Sequence, residues 1–317
     1  MKENTASAAS IPCGHNWDAY SKAQREQVVR TALQCGDVTT LVSLTDHNLM
    51  MFGRGGAHTS QHTRRNYSTG VRRYLNYALP LGWERLTQYD TDLTIGYIRM
   101  LEREGVSPGT INSRRSAARA LYRALRWAGV LQADPFADTP RAKDASERWT
   151  KREAYSREDI EAMLEAATED EHLLVLLGSH GGLRMSELVS LKWEQVDLER
   201  RVMTITGKGR KTALVYLSES LSMMLECVEA ERRTGYVLPW RNPKSIRLCL
   251  RSLCKAAGVD YSKRQVHGLR HACATMLLEQ TGDIYIVARH MRHSSVGTTE
   301  VYAKLNPKRL TAALSRW

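Results

Sequence analysis

Tyr67, Val71, Tyr74, Leu75 and Ala78 follow one another at intervals of four, three, one and three residues. That spacing lines one side of a helix and predicts an amphipathic helix over this stretch. A second helix is predicted over Thr91–Arg103, and Ser107-Pro108-Gly109-Thr110 then supplies a turn and a helix start. The helix that follows turns Ile111, Ala118, Leu121, Tyr122 and Leu125 inward. Asp134-Pro135-Phe136 and Thr139-Pro140 break it, and residues 141–152 are highly charged with no apolar period. A domain boundary is expected in that linker.

Beyond it, Ser156-Arg157-Glu158-Asp159 has the pattern of a capped helix start, with Ile160, Met163, Leu164 and Ala167 on the inner face. The apolar run 173–177 reads as a buried helix. Val202–Thr206 and 213–217 are rich in β-branched and apolar residues, and Gly207-Lys208-Gly209-Arg210-Lys211 lies between them, which predicts a hairpin. From about residue 218 the chain reads as helical with short breaks. Leu310, Ala313, Leu314 and Trp317 give a short amphipathic helix at the end, starting near Asn306-Pro307. Ahead of all this, residues 1–57 offer one helix, about 20–33, and Gly53-Arg54-Gly55-Gly56 as a break. The expected fold is mainly α with a small β-sheet. The expected division is an N-terminal extension of unknown role (1–57), a helical domain (58–142), a linker (143–154) and a second domain (155–317).

A chain of 317 residues is long enough for two cores. Its longest apolar run is far short of a membrane span, and residues 1–14 lack the apolar stretch of a secretory signal. The expected location is the cytoplasm. None of the six cysteines forms a CxxC pair, and Cys13-Gly14-His15 has no second ligand pair, so neither disulfides nor zinc is expected.

Charge changes the picture more. The net charge is +12; residues 1–57 are neutral, while 58–145 and 146–317 each carry +6. Two basic segments behind a neutral leader suit a polyanion held between two domains, although simple solubility also tolerates such a charge. Arg115, Arg119, Arg123 and Arg126 are spaced four, four and three apart, and no acidic residue lies between Thr110 and Ala133. A solvated face of mixed sign fits that poorly, and contact with phosphates fits it better.

Several residues of the second half say little singly. Arg184 and Glu187 are spaced as an ordinary helix ion pair, and Lys208 as a turn lysine. His267 and Arg270 are three apart, and Tyr302 is one of 13 tyrosines. Taken together the order is Gly-Leu-Arg184-x-Ser-Glu187-Leu, Gly-Lys208-Gly-x-Lys, His267-x-Leu-Arg270-His271, His293-Ser-Ser and Thr298-Thr299-x-x-Tyr302. This series resembles the tyrosine recombinase (phage integrase) family, including its Xer-type members. The resemblance covers the whole second domain, and the basic helical segment before it looks like the family's core-binding domain.

The resemblance implies a two-domain, C-shaped DNA clamp: a helical, SAM-like core-binding domain and a tyrosine-recombinase catalytic domain. It implies a site-specific DNA recombinase that cuts and rejoins double-stranded DNA through a 3′-phosphotyrosyl intermediate on Tyr302, integrating or excising a mobile element or resolving chromosome dimers. Neither metal, ATP nor another cofactor is expected. The chemistry suits these residue types. Attack on a phosphodiester builds charge on the non-bridging oxygens, which two guanidinium groups can grip in fixed geometry. Arg184 and Arg270 match the family's catalytic arginines. A phenol has a reference pKa near ~10, and nearby cations favour its ionised form. His267 is a candidate general base, Lys208 the candidate general acid for the leaving 5′-oxygen, and His293 a phosphate ligand by resemblance. Glu187 and His271 are given supporting roles. The terminal helix either docks on its own domain or, as the resemblance favours, packs into a neighbouring protomer and joins four subunits on two DNA sites.

Two departures stand out. The family commonly has Leu-Gly-His where this chain has Met291-Arg292-His293, which adds bulk and charge, and the neutral leader is longer than in many members. Two other readings share the ancestry: a catalytically silent DNA-binding regulator and a type IB-like topoisomerase.

Overall fold

The computed structural model describes residues 15–143, 153–207, 212–262 and 264–292. Lys208, His293, Tyr302, Cys13 and the proposed terminal helix with Leu310, Ala313, Leu314 and Trp317 lie outside the described residues. The chain divides into two compact units, with the division after Ala145.

The first unit is helical: α1 (Lys22–Gln34), α2 (Val38–Phe52), α3 (Gln61–Ala78), α4 (Thr91–Arg103) and α5 (Pro108–Ala128). Helix α3 packs against α5, with Gly70 at the closest approach; a Cβ there would stand 2.4 Å from the Ala117 Cβ. Aromatic residues fill the centre. The Tyr74 ring lies 4.9 Å from Tyr97 and 5.5 Å from Phe136, and its hydroxyl meets that of Tyr122 at 2.7 Å. Two buried phenols thus satisfy each other where water is excluded.

Residues 15–57 belong to this core. Trp17, Val29, Leu33, Leu41 and Leu44 are buried with Tyr74, Leu75 and Tyr122. The Trp17 indole donates to Ser43 Oγ at 3.1 Å, and Arg64 of α3 reaches back to Asp46 of α2 in a two-point ion pair. Burial of each such leucine contributes roughly 1.5–3 kcal/mol, so the leader is part of the hydrophobic core it covers.

The arginine stripe of α5 divides. Arg115 is buried and donates to the carbonyls of Phe136 (2.9 Å) and Thr139 (2.7 Å). The expectation that it contacts phosphate is corrected on this point: its guanidinium ties the segment after α5 to the helix. Asn112 does the same through paired bonds to the Ala142 main chain at 2.9 and 3.1 Å. Arg119 bonds the Asp134 carboxylate at 2.6 Å and Arg126 stands 3.9 Å from it, while Arg123 is exposed.

The second unit holds α6 (Arg157–Ala166), α7 (Glu169–Ser179), α8 (Met185–Ser190), a three-stranded sheet, α9 (Glu219–Cys227), α10 (Pro243–Ala256), α11 (Gln265–Thr281) and α12 (Ile284–His290). Ser156 caps α6, and Asp159 returns the bond to the Ser156 N–H at 2.8 Å. The sheet runs β1 (Val196–Asp197), β2 (Val202–Thr206) and β3 (Thr212–Tyr216), all antiparallel, with Val202 opposite Tyr216 and Thr206 opposite Thr212. Met203, Ile205 and Val215 point into a core shared with α7, α10 and α11, whose centre is Leu173, Leu177, Leu250 and Leu269. Among the described residues no helix is long and apolar enough to cross a membrane.

Arg115 and Arg123 therefore respond differently to truncation. Arg115→Ala takes the guanidinium from the interior Thr139 carbonyl and leaves the Phe136 carbonyl only its bond from the Thr139 N–H; it lowers stability by about 1–3 kcal/mol in urea unfolding, whereas Arg123→Ala changes it by less than about 0.5 kcal/mol. Equal, small losses for both would contradict the structural role of Arg115.

Candidate active site

Helix α7 ends at Ser179, and His180 to Leu183 turn the chain into α8. Gly182 makes the turn possible in two ways. Its φ is +57°, and a Cβ there would stand 2.8 Å from Met291 Sδ at the end of α12. Only glycine accepts both the left-handed backbone and the close approach.

Arg184 is the extended residue that caps α8, with φ −77° and ψ 158°. Glu187, one turn on, accepts the Arg184 main-chain N–H at 2.8 Å and its guanidinium at 3.0 Å. Glu187 is 5% exposed, and Arg184 keeps 39% of its side chain open to solvent. The spacing of three residues thus becomes a two-point clamp, with Arg184 donating its main-chain N–H and its guanidinium to one carboxylate, rather than a surface pair.

Helix α11 brings Arg270 to the same place. Buried at 3% exposure, it donates to the carbonyls of Gly182 and Met291. The second Arg184 Nη reaches the Arg292 carbonyl at 3.3 Å. Both arginines therefore converge on the Gly181–Arg184 turn and on the residues just ahead of His293. His267 stands exposed in the first turn of α11, its ring edge-on to half-buried His271 with centroids 4.8 Å apart.

Arg292 completes the cluster. Its guanidinium donates to Glu187 Oε2 at 2.8 Å, to the Gly182 carbonyl at 3.0 Å and to the His290 carbonyl at 3.1 Å. Its φ is +53°, a conformation that costs a side chain with a Cβ about 1–2 kcal/mol and persists only where surrounding bonds hold it. Burial pushes the Glu187 carboxyl up, but the facing Arg292 charge and the Arg184 bonds outweigh this and hold it below its ordinary value. In sequence Arg292 stood out only as bulk and charge beside His293; nothing local marked it as the partner of Glu187.

Beside the turn lie two half-buried histidines, His180 and His290. His290 Nε2 donates to the His180 carbonyl at 2.9 Å, and Cys273 Sγ donates to the same oxygen at 3.3 Å. Burial lowers both imidazole pKa values below the ordinary 6.5. The unfolded chain therefore takes up these protons first as pH falls, so stability is complete above about pH 6.5 and declines below it. Replacing His290 with Gln, whose amide can still donate to His180, is expected to reduce the loss of urea midpoint between about pH 7 and about pH 5.5. An unchanged slope would show that His290 does not carry it.

Comparison with known proteins bears on both units. Residues 154–309 match the phage integrase family, and residues 56–129 match the phage integrase N-terminal SAM-like domain. Tyrosine recombinase XerA of Thermococcus kodakarensis is 31% identical over 271 residues, which span 80% of this chain and 88% of that protein. Tyrosine recombinase XerC of Xanthomonas campestris pv. campestris is 27% identical over 261 residues, 78% of this chain and 80% of the relative. Among solved structures, XerH site-specific recombinase in a post-cleavage complex with palindromic difH substrate aligns with a TM-score of 0.63 at 18% identity, over 95% of this chain and 86% of that one. A lambda integrase (75–356) dimer bound to a COC′ core site gives 0.63 at 16%, over 80% and 92%. These structures share the fold, a helical SAM-like domain followed by a mostly helical domain with a small sheet. The identity to XerA across most of both chains, with the two domains matched in order, establishes that this protein is a member of the phage integrase family and a tyrosine-type site-specific recombinase.

Proposed function

We propose that Arg184 and Arg270 hold the non-bridging oxygens of a DNA phosphodiester while the Tyr302 hydroxyl attacks its phosphorus. The observation that carries this reading is the meeting of the two guanidinium groups, from separate helices, at one turn beside the segment that leads to His293. Arg184 offers a solvent-facing cation held at a fixed angle by Glu187, and Arg270 adds a buried charge behind it. Preorganised positive charge at the oxygens where charge develops is the largest contribution such a site can make.

The step is a transesterification. The phenol oxygen bonds to phosphorus, the bond to the 5′-oxygen breaks, and a 3′-phosphotyrosyl link forms. His267, exposed at the start of α11, takes the phenol proton, and Lys208 gives a proton to the departing 5′-oxygen. His293 hydrogen-bonds the phosphate. Glu187 and His271 orient their neighbours. The link keeps the energy of the original bond, so a 5′-hydroxyl of a new partner strand can reverse the step without ATP.

Double-stranded DNA is the substrate. XerH, lambda integrase and the Tn1549 transposon integrase were each solved on DNA. Residues 58–142 act as the core-binding domain and 155–317 as the catalytic domain. In the first unit, Arg123 is the stripe residue open to a phosphate, while Arg119 and Arg126 share Asp134. Residues 303–317 pack into a neighbouring protomer, and cyclic exchange of that tail joins four subunits on two sites.

The test uses nicked duplex fragments of the source genome as a pool, from which covalent protein–DNA adducts are trapped and sequenced. The wild-type chain is expected to form adducts at a defined site, and Tyr302→Phe to form none while still retarding the same duplex. Arg184→Ala is expected to slow adduct formation by on the order of 10²–10³-fold. Adducts that persist in Tyr302→Phe would overturn the reading.

A further inference from the structure

We propose that Arg292 is a positioning residue: it balances the charge of Glu187, so that Arg184 is held by that carboxylate without being neutralised by it. The proposal rests on the phosphate-gripping role given above to Arg184 and Arg270.

Glu187 has two tasks that conflict. Its Oε1 accepts the Arg184 guanidinium at 3.0 Å, and its Oε2 accepts the Arg184 main-chain N–H at 2.8 Å. Those bonds fix the arginine. An ionised carboxylate at that distance also cancels its charge, and does so strongly where water is scarce. A phosphodiester arriving at Arg184 would then compete with a buried anion already in place.

Arg292 removes the conflict. Its Nη2 lies 2.8 Å from Glu187 Oε2, and the two side chains are 8% and 5% exposed. At that depth Arg292 faces the carboxylate and the Gly182 and His290 carbonyls, while the solvent-facing cation is Arg184. Arg184 and Arg292 thus share one carboxylate, while Arg270 is tied to the neighbouring Gly182 and Met291 carbonyls; the four groups together carry a net of two positive charges, the number carried by Arg184 and Arg270 themselves. Without Arg292 the net falls to one. The backbone agrees: a left-handed φ of +53° at a residue with a Cβ is held because its guanidinium is tied to a carboxylate and two carbonyls at once.

Glycine suits that φ, so Arg292→Gly removes the charge without straining the backbone. Three variants separate the possibilities: Arg292→Gly, Arg292→Lys, and Arg292→Gly combined with Glu187→Gln, which restores the net of two positive charges. Each is assayed on the nicked genomic pool for the rate of adduct formation at saturating protein and, separately, for half-saturation of non-covalent duplex binding. Arg292→Gly is expected to slow adduct formation by ~10–100-fold with half-saturation within ~2-fold of wild type, because the charge acts on the reacting phosphate and not on the bulk of the duplex. Arg292→Lys, which keeps the charge, stays within ~5-fold of the wild-type rate, and the double variant recovers at least ~10-fold of the loss. An Arg292→Gly protein as fast as wild type, or a double variant as slow as Arg292→Gly, overturns the proposal. A wild-type chain that forms no adduct overturns the phosphate-gripping reading, and this proposal with it; wild-type adducts with an unaffected Arg292→Gly overturn only the role of Arg292.

Discussion

The second unit is organised around one buried carboxylate. Glu187 is 5% exposed and stands between the guanidinium groups of Arg184 and Arg292. A carboxylate so deep in protein is tolerable only when its charge and lone pairs are met, and here a main-chain N–H and two guanidinium groups meet them. The bonds also join three pieces of chain. Arg184 caps α8, Arg292 follows α12, and Arg270 of α11 spans both through the Gly182 and Met291 carbonyls. Gly182 suits this assembly, since its φ is +57° and a Cβ there would press on Met291 Sδ and Cys273 Sγ. The cluster is therefore a folding feature in its own right.

Much of this was legible in the sequence where period and chemistry agreed. The helices at Thr91–Arg103 and over 67–78, the capped start at Ser156 and the 202–206 strand follow from spacing alone, and the structure has them. Helix α2 is not marked by apolar spacing, because its inner face is partly polar. Thr40, Thr45, Asp46 and Asn48 are buried there; Thr45 bonds back to the Leu41 carbonyl at 2.8 Å, and Asp46 is taken by Arg64. An apolar-periodicity reading cannot see a core face whose polar groups find partners from elsewhere in the chain. Strand β1 is two residues long and carries no period at all.

The arginines of α5 show the opposite error, a pattern read too uniformly. Arg115 lies four residues after Ile111 and three before Ala118, in register with the apolar stripe, and that register marks it as interior. The stripe lacks acidic residues within the helix, but Asp134 follows it and folds back onto Arg119. Local charge counts miss partners that a turn brings round. In the candidate site the order of motifs singles out Arg184, Glu187 and Arg270, and the structure brings the three to one turn. What the order of motifs did not convey is the bond from Arg292 to Glu187, because it links residues far apart in sequence through a side chain with no motif of its own.

The central claim is that Tyr302 carries the DNA. It is tested most directly by digesting the trapped adduct with protease and nuclease and locating the residual nucleotide by mass spectrometry. The account predicts a 3′-phosphate nucleotide on the peptide that contains Tyr302. A nucleotide on another tyrosine, or one attached through its 5′-phosphate, would contradict it.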